Sequence, residues 1–163
     1  MIIVGSFKIG IGEYKVTYAP NSLITIALGS CVGIALYDRT TGVGGLAHIM
    51  LPDSALIRGD KKIIGKYADL AIPEMVKDMK KLGASNHIRA KIAGGASMFK
   101  RTSNSPTMQI GQRNIEAVRK ELELLNIPLL AEHVGSNVGR TMKLDLELSS
   151  VSVRTATREY FEL

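Results

Sequence analysis

The sequence predicts an α+β domain, and three observations carry that reading. The first third has strand character: Tyr14, Val16 and Tyr18 alternate with Lys15 and Thr17, the period of a half-buried strand. In the middle the apolar spacing changes to three and four residues, through Tyr67, Leu70, Ala71, Met75, Met79 and Leu82, the period of an amphipathic helix. Strands and helices do not alternate strictly along the chain. A parallel βαβ arrangement is therefore not required, and a mixed or antiparallel sheet fits better.

The elements follow in order. Pro20-Asn21-Ser22 is a turn. Leu23–Leu28 is apolar and rich in β-branched residues, a buried strand ending at Gly29-Ser30. Cys31–Tyr37 is a second strand, Asp38–Gly42 a loop, and Gly45–Leu51 a third strand stopped by Pro52-Asp53. The short loop predicts that these two strands pair as a hairpin. Pro73 falls inside the first helical pattern and implies a kink or a restart, and Gly83 is its C-terminal stop. His87–Ala93 reads as a strand before Gly94-Gly95. A second helix spans about 110–125, with Ile115, Val118, Leu122 and Leu125 inward. Pro128–Val134 is a further strand, and Arg140–Leu148 with Val151–Thr155 form a hairpin.

The chain of 163 residues fits one domain over 1–163, with no repeat or linker to divide it. Tryptophan is absent and aromatics are 5%, so Val, Ile, Leu and Ala must fill the core. Lysine and arginine exceed aspartate and glutamate by 21 to 15, a formal charge of +6. Such a surface favours acidic partners. The basic pairs Lys61-Lys62, Lys80-Lys81 and Lys100-Arg101 are scattered and carry no interleaved aromatics, so nucleic acid is not the expected partner. The uncharged run from Thr17 to Tyr37 is long enough to cross a bilayer. Pro20, Asn21, Gly29, Ser30 and Gly33 break it into strand-length pieces, and no targeting signal opens the chain. The expectation is a cytoplasmic protein without membrane insertion. The glycine clusters 10–12, 42–45 and 94–95 lack phosphate-loop spacing and read as turns.

Cys31 is the only cysteine. It excludes an internal disulfide, and with His48, His87 and His133 far apart no metal site is expected. A lone cysteine in an apolar stretch is ordinarily a small buried hydrophobe. Here it follows Gly29-Ser30, where a turn can expose the side chain and aim successive N–H groups at one point, as an oxyanion hole requires. Only about 3% of an ordinary thiol is ionised at pH 7, so a cysteine nucleophile needs a base. His48 lies in the apolar strand Leu46-Ala47-His48-Ile49-Met50, where it is either a paired core histidine or that base. The hairpin puts it near the same end as Cys31. His87 sits in a surface turn, and His133 is the weaker candidate. Thr25 is either a strand former or the group that holds the imidazole.

Five ordered blocks give the chain a resemblance. Ala27-Leu28-Gly29-Ser30-Cys31-Val32-Gly33 and Gly45-Leu46-Ala47-His48-Ile49-Met50-Leu51-Pro52 come first. Lys66-Tyr67-Ala68-Asp69, Ala90 through Phe99, and Ile110-Gly111-Gln112-Arg113-Asn114 follow. Together they resemble the CheD family of chemoreceptor glutamine deamidases over residues 10 to 155. The resemblance implies a mixed β-sandwich flanked by helices, of cysteine-hydrolase type and similar to the catalytic domains of glutamine-deamidating toxins. It places the nucleophile on Cys31, the base on His48 and the orienting threonine on Thr25, with Gly29 and Ser30 positioning substrate and oxyanion. The implied activity is hydrolysis of chemoreceptor glutamine side chains to glutamate and ammonia through a Cys31 thioester, without cofactor or metal, in chemotaxis adaptation. The implied partners are chemoreceptor cytoplasmic helices and a CheC-type phosphatase. Two rival readings stand beside it: an adaptor joining receptor and phosphatase, and a cysteine peptidase or acyl transferase. The chain departs from the family late, with Gly135-Ser136-Asn137 for a Gly-Gly-Asn stretch and Leu148-Ser149-Ser150 for a Thr-Gly turn.

Overall fold

The computed structural model describes residues 4–57, 63–97 and 109–163. The pairs Lys61-Lys62 and Lys100-Arg101, and Met98-Phe99 of the fourth block, lie outside the described residues. The strands are β1 (Ser6–Lys8), β2 (Tyr14–Tyr18), β3 (Ser22–Leu28), β4 (Val32–Asp38), β5 (Val43–Ile49), β6 (Ile88–Gly94), β7 (Leu129–Val134), β8 (Arg140–Asp145), β9 (Ser150–Thr155) and β10 (Tyr160–Glu162). The helices are α1 (Ala68–Lys81) and α2 (Ile110–Leu124). A first sheet runs β1-β3-β8-β9-β10 and a second β2-β5-β4-β6-β7. Each is mixed, because β1 lies parallel to β3 and β6 parallel to β7. The α+β class and the mixed sandwich with flanking helices both hold.

The core has two layers, and both follow from alternation along β4 and β5, whose residues are all buried. Val32, Ile34, Leu36, Ala47 and Ile49 pack with Ala71, Ile72, Met75, Met79, Ile115, Val118 and Leu122 of the helices. Ala35, Tyr37 and Leu46, on the opposite face, pack with Leu23, Leu28, Met142, Leu144, Val151 and Val153 of the first sheet. Both helices thus cover the outer face of the second sheet, and its inner face meets the first sheet. Tyr14 ties β2 to α1, its hydroxyl donating to Asp78 Oδ2 at 2.7 Å.

Several expectations need correction. Of the kink or restart expected at Pro73, the restart does not occur: α1 runs through it. Pro73, the sixth residue of α1, removes only the one donor toward the carbonyl of Asp69, and the later turns continue past it. Leu82 and Leu125 are exposed, at 43% and 36%, because each is the residue that closes its helix and leaves the apolar stripe. Gly83 does take the left-handed conformation after α1, with φ 99°. The strands β1 and β10 have no signal in the sequence, since three residues carry too little alternation to register. The β8–β9 hairpin forms with Arg140 opposite Thr155 and Asp145 opposite Ser150, although β8 ends at Asp145 instead of Leu148. Ser136 and Ser149, at the two departures from the family pattern, both take positive φ, 61° and 51°. The backbone there keeps a glycine conformation without a glycine.

Candidate active site

Thr25 and His48 meet in the layer between the sheets, and Cys31 packs against the same inner core. Gly33 of β4 pairs with His48 of β5, and Val32 with Ile49. Alternate residues share a face, so Cys31, Gly33, Ala35 and Tyr37 face the first sheet together with Leu46 and His48. Cys31, one residue ahead of β4, packs against this inner core. His48 and Cys31 are therefore diagonal neighbours on one face, a relationship that sets Cα atoms about 7–8 Å apart in an antiparallel pair. The absent side chain of Gly33 matters here. A Cβ at that position would stand 2.8 Å from the Met142 sulfur of the facing sheet.

Thr25 reaches the same layer from β3. That strand is irregular between Thr25 and Leu28, and Ala27 takes φ 61°. The bulge turns Ile26 and Ala27 outward while Leu23, Thr25 and Leu28 stay buried. Thr25 Oγ1 lies 2.7 Å from His48 Nδ1 and donates its hydrogen to the carbonyl of Ile9 at 2.8 Å. A hydroxyl has one hydrogen, so Oγ1 must accept from His48, and Nδ1 is the protonated nitrogen. Nε2 keeps its lone pair, and it is buried with no partner among the described residues. The backbone of His48 is fixed as well, its N–H donating to Glu13 O at 3.0 Å and its carbonyl accepting from Gly12 N at 2.8 Å.

Burial pushes the His48 pKa down to about 4. Threonine is neutral, so nothing beside Nδ1 stabilises an imidazolium. Burial also pushes the Cys31 thiol above its ordinary value, against a smaller lowering by its own backbone N–H. At neutral pH the resting site thus holds a thiol and an uncharged imidazole with one free acceptor nitrogen. This arrangement can take a proton from a nucleophile as it attacks and return it to a leaving group.

The loop from Gly29 to Cys31 is held through its carbonyls. Ala96 N donates to Gly29 O at 2.8 Å, and Gly95 N to Cys31 O at 2.8 Å. Asn114 Nδ2 donates to Ser30 O at 2.9 Å. Gly94 and Gly95 have φ 113° and 66°, and a Cβ on Gly94 would stand 2.3 Å from Cys31 O. Beyond the turn that their spacing predicts, they support the cysteine loop. Among the described residues, the N–H groups of Ser30 and Cys31 have no backbone acceptor. Gly29, Ser30 and Cys31 form the bend between β3 and β4.

The other histidines stand apart. His87 is exposed, and its N–H bonds Ser85 Oγ at 3.1 Å. His133 stacks on Phe161 at 4.5 Å and accepts from Arg140 Nε at 2.8 Å. Burial and the charge of Arg140 lower its pKa. The Lys66-Tyr67-Ala68-Asp69 block is a brace behind β5: Lys66 O accepts from Met50 N at 2.8 Å and from Leu51 N at 3.0 Å. Sequence reasoning missed Asn114 as part of the site. Its signal is a polar residue on the inward stripe of α2, between Gly111 and Ile115.

Comparison with known proteins gives the family. Residues 50–155 match the family model described as CheD chemotactic sensory transduction. The chain is 50% identical over 153 residues to the probable chemoreceptor glutamine deamidase CheD of Clostridium kluyveri, covering 93% of this chain and 94% of that protein. It is 51% identical over 153 residues to the protein of the same name from Clostridium tetani, covering 93% and 92%. The fold also shows a 0.45 TM-score likeness to a crystal structure of Bacillus licheniformis hypothetical protein YfiH, at 20% identity over 74% of this chain and 49% of that one. Alignments of that length take in residues 25–48 along with the region of the family model, and the chain belongs to the CheD family.

Proposed function

We propose that this protein is a protein-glutamine deamidase, one catalytic domain over residues 1–163 that acts on chemoreceptors at their cytoplasmic helices. The observation that carries the mechanism is the hydrogen-bond relay from His48 through Thr25 to Ile9, which leaves Nε2 as the free base on the face shared with Cys31.

His48 Nε2 takes the Cys31 proton while sulfur attacks the carboxamide carbon of a glutamine side chain. The carbonyl π electrons move to oxygen, and the N–H groups of Ser30 and Cys31 donate to it. One such donor is typically worth about 2.7–4 kcal/mol. The imidazolium passes its proton to the amide nitrogen, the C–N bond breaks, and ammonia leaves a thioester on Cys31. Water then attacks the thioester carbon with His48 as base. Collapse expels the Cys31 sulfur, which regains the proton, and the product is glutamate. Thr25 holds the imidazole in the tautomer that both halves need.

The name carried by the Clostridium kluyveri and Clostridium tetani relatives supports chemoreceptors as substrates. The formal charge of +6 favours approach to acidic receptor helices. Among the described residues no helix is long and apolar enough to cross a membrane, in keeping with a substrate that brings its own membrane anchor. A CheC-type phosphatase is the second proposed partner, and co-purification with Cys31→Ala separates its binding from catalysis.

The test is ammonia release from purified receptor signalling fragments. Wild type releases ammonia, whereas Cys31→Ala and His48→Ala, both folded, release none. Full activity in Cys31→Ala rules the mechanism out.

A further inference from the structure

Resting on that reading, we propose that Asn114 is a positioning residue for the oxyanion donor: its amide fixes the Ser30–Cys31 peptide so that the Cys31 N–H faces the reacting carbonyl.

Asn114 is fully buried, on the face of α2 that meets the second sheet. Its Nδ2 donates to Ser30 O at 2.9 Å and to Met50 O at 3.0 Å. Two carbonyls can be satisfied only by the NH2 end, so the amide orientation is forced. Oδ1 points elsewhere and has no partner among the described residues. In a trans peptide the C=O and the following N–H point in opposite directions. Ser30 O and the Cys31 N–H belong to one peptide. Drawing that oxygen toward α2 turns the N–H away from α2, where no backbone acceptor among the described residues takes it. Ala96 N acts the same way on Gly29 O and hence on the Ser30 N–H.

Of the three groups that hold the loop carbonyls, two are backbone and one is a side chain. Asn114 is therefore the point at which a side-chain substitution reaches an oxyanion donor. It also holds Met50 O, just beyond β5, so a single amide joins the loop of the nucleophile to the strand of the base. Aspartate, when ionised, would set acceptor against acceptor at both carbonyls. When protonated it regains one donor.

The experiment measures kcat and KM on receptor fragments for wild type, Asn114→Ala and Asn114→Asp, with Cys31→Ala as control. In parallel it measures the limiting rate of Cys31 alkylation by iodoacetamide, taken from the pH profile so that a change in thiol ionisation when the Cys31 N–H moves does not enter; this displacement at saturated carbon forms no oxyanion. Asn114→Ala is expected to lose about 10²-fold in kcat, the lower end for loss of an oxyanion donor. Its KM and alkylation rate are expected to stay within about threefold of wild type. Asn114→Asp is expected to be as slow where its carboxyl is ionised and to recover as pH falls through that carboxyl's pKa, which burial raises, a limb wild type lacks. An unchanged kcat in folded Asn114→Ala overturns the proposal, as does a parallel fall in alkylation. If Asn114→Ala does not fold, absence of the acid-side recovery in Asn114→Asp overturns it. Failure of the underlying deamidase reading looks different, because Cys31→Ala would then keep the wild-type rate.

Discussion

Thr25 Oγ1, on the first sheet, lies 2.7 Å from Nδ1 of His48, on the second. One hydrogen bond thus spans the sandwich and selects the imidazole tautomer. The acceptor beyond it is a backbone carbonyl, Ile9 O, at 2.8 Å, so the whole relay is uncharged. Exchange of Thr25 tests this relay. Thr25→Val keeps the shape and removes the hydroxyl; kcat is expected to fall about tenfold to a hundredfold, the scale of one lost buried hydrogen bond. Thr25→Ser is expected to stay close to wild type. Nitrogen NMR of His48 should show Nε2 unprotonated in wild type and a tautomer mixture in Thr25→Val. Equal kinetics in all three proteins would remove Thr25 from the mechanism.

The buried imidazole also sets a pH window for stability. His48 titrates at about 4 when folded, against about 6.5 unfolded. Between these values the unfolded chain binds more protons. The contribution of His48 is therefore fully present above the unfolded value and is lost as pH falls toward 4, by up to about 3 kcal/mol. Urea unfolding at a series of pH values should show this loss in wild type and a flatter profile in His48→Gln. Asp38 acts in a lower window. Burial raises its pKa, but hydrogen bonds from Ser85, Thr41 and Thr40 outweigh that and bring it to about 2. Acid loss of the same size in both proteins above pH 4 would contradict the assignment to His48.

A neutral resting pair has a signature in thiol chemistry. The Cys31 pKa is raised and that of His48 lowered, both by burial. The rate of Cys31 alkylation is therefore expected to climb steadily with pH through the alkaline range, since the thiolate is the reactive species. A thiolate–imidazolium pair would instead give a plateau on the acid side. Observation of that plateau would contradict a neutral resting site.

The site was legible in the sequence to the extent that it depends on neighbours along the chain. A short loop joins β4 to β5, so Cys31 and His48 fall at one end of a hairpin, and the Gly29-Ser30 turn marks the place. Thr25 could be proposed but not fixed, because its partner acceptor comes from Ile9 beyond β1, a strand too short to show a period. Gly94, Gly95 and Asn114 act on the cysteine loop from elements remote in sequence. Their roles depend on α2 returning over the end of β6, and local spacing records no such contact. The helix stripes showed Ile115, Val118 and Leu122 but overran at Leu82 and Leu125, since period alone does not mark where a helix closes.

The serines in left-handed conformation yield a stability prediction. Ser149 and Ser136 have φ 51° and 61°, where an L side chain costs about 1–2 kcal/mol. Glycine relieves that strain but gains unfolded-state entropy, so each Ser→Gly exchange is expected to stabilise by about 0.5 kcal/mol. Chemical denaturation reads this directly. A loss of stability in both variants would contradict the reading of the two turns.

Peptide mass mapping of receptor cytoplasmic fragments after incubation tests Cys31-dependent deamidation most directly. Wild type is expected to give glutamine peptides with the mass gain of replacing NH2 by OH, without chain cleavage. Folded Cys31→Ala is expected to leave every glutamine unchanged. The same mass gain in Cys31→Ala, or cleaved receptor in place of deamidated receptor, would contradict it.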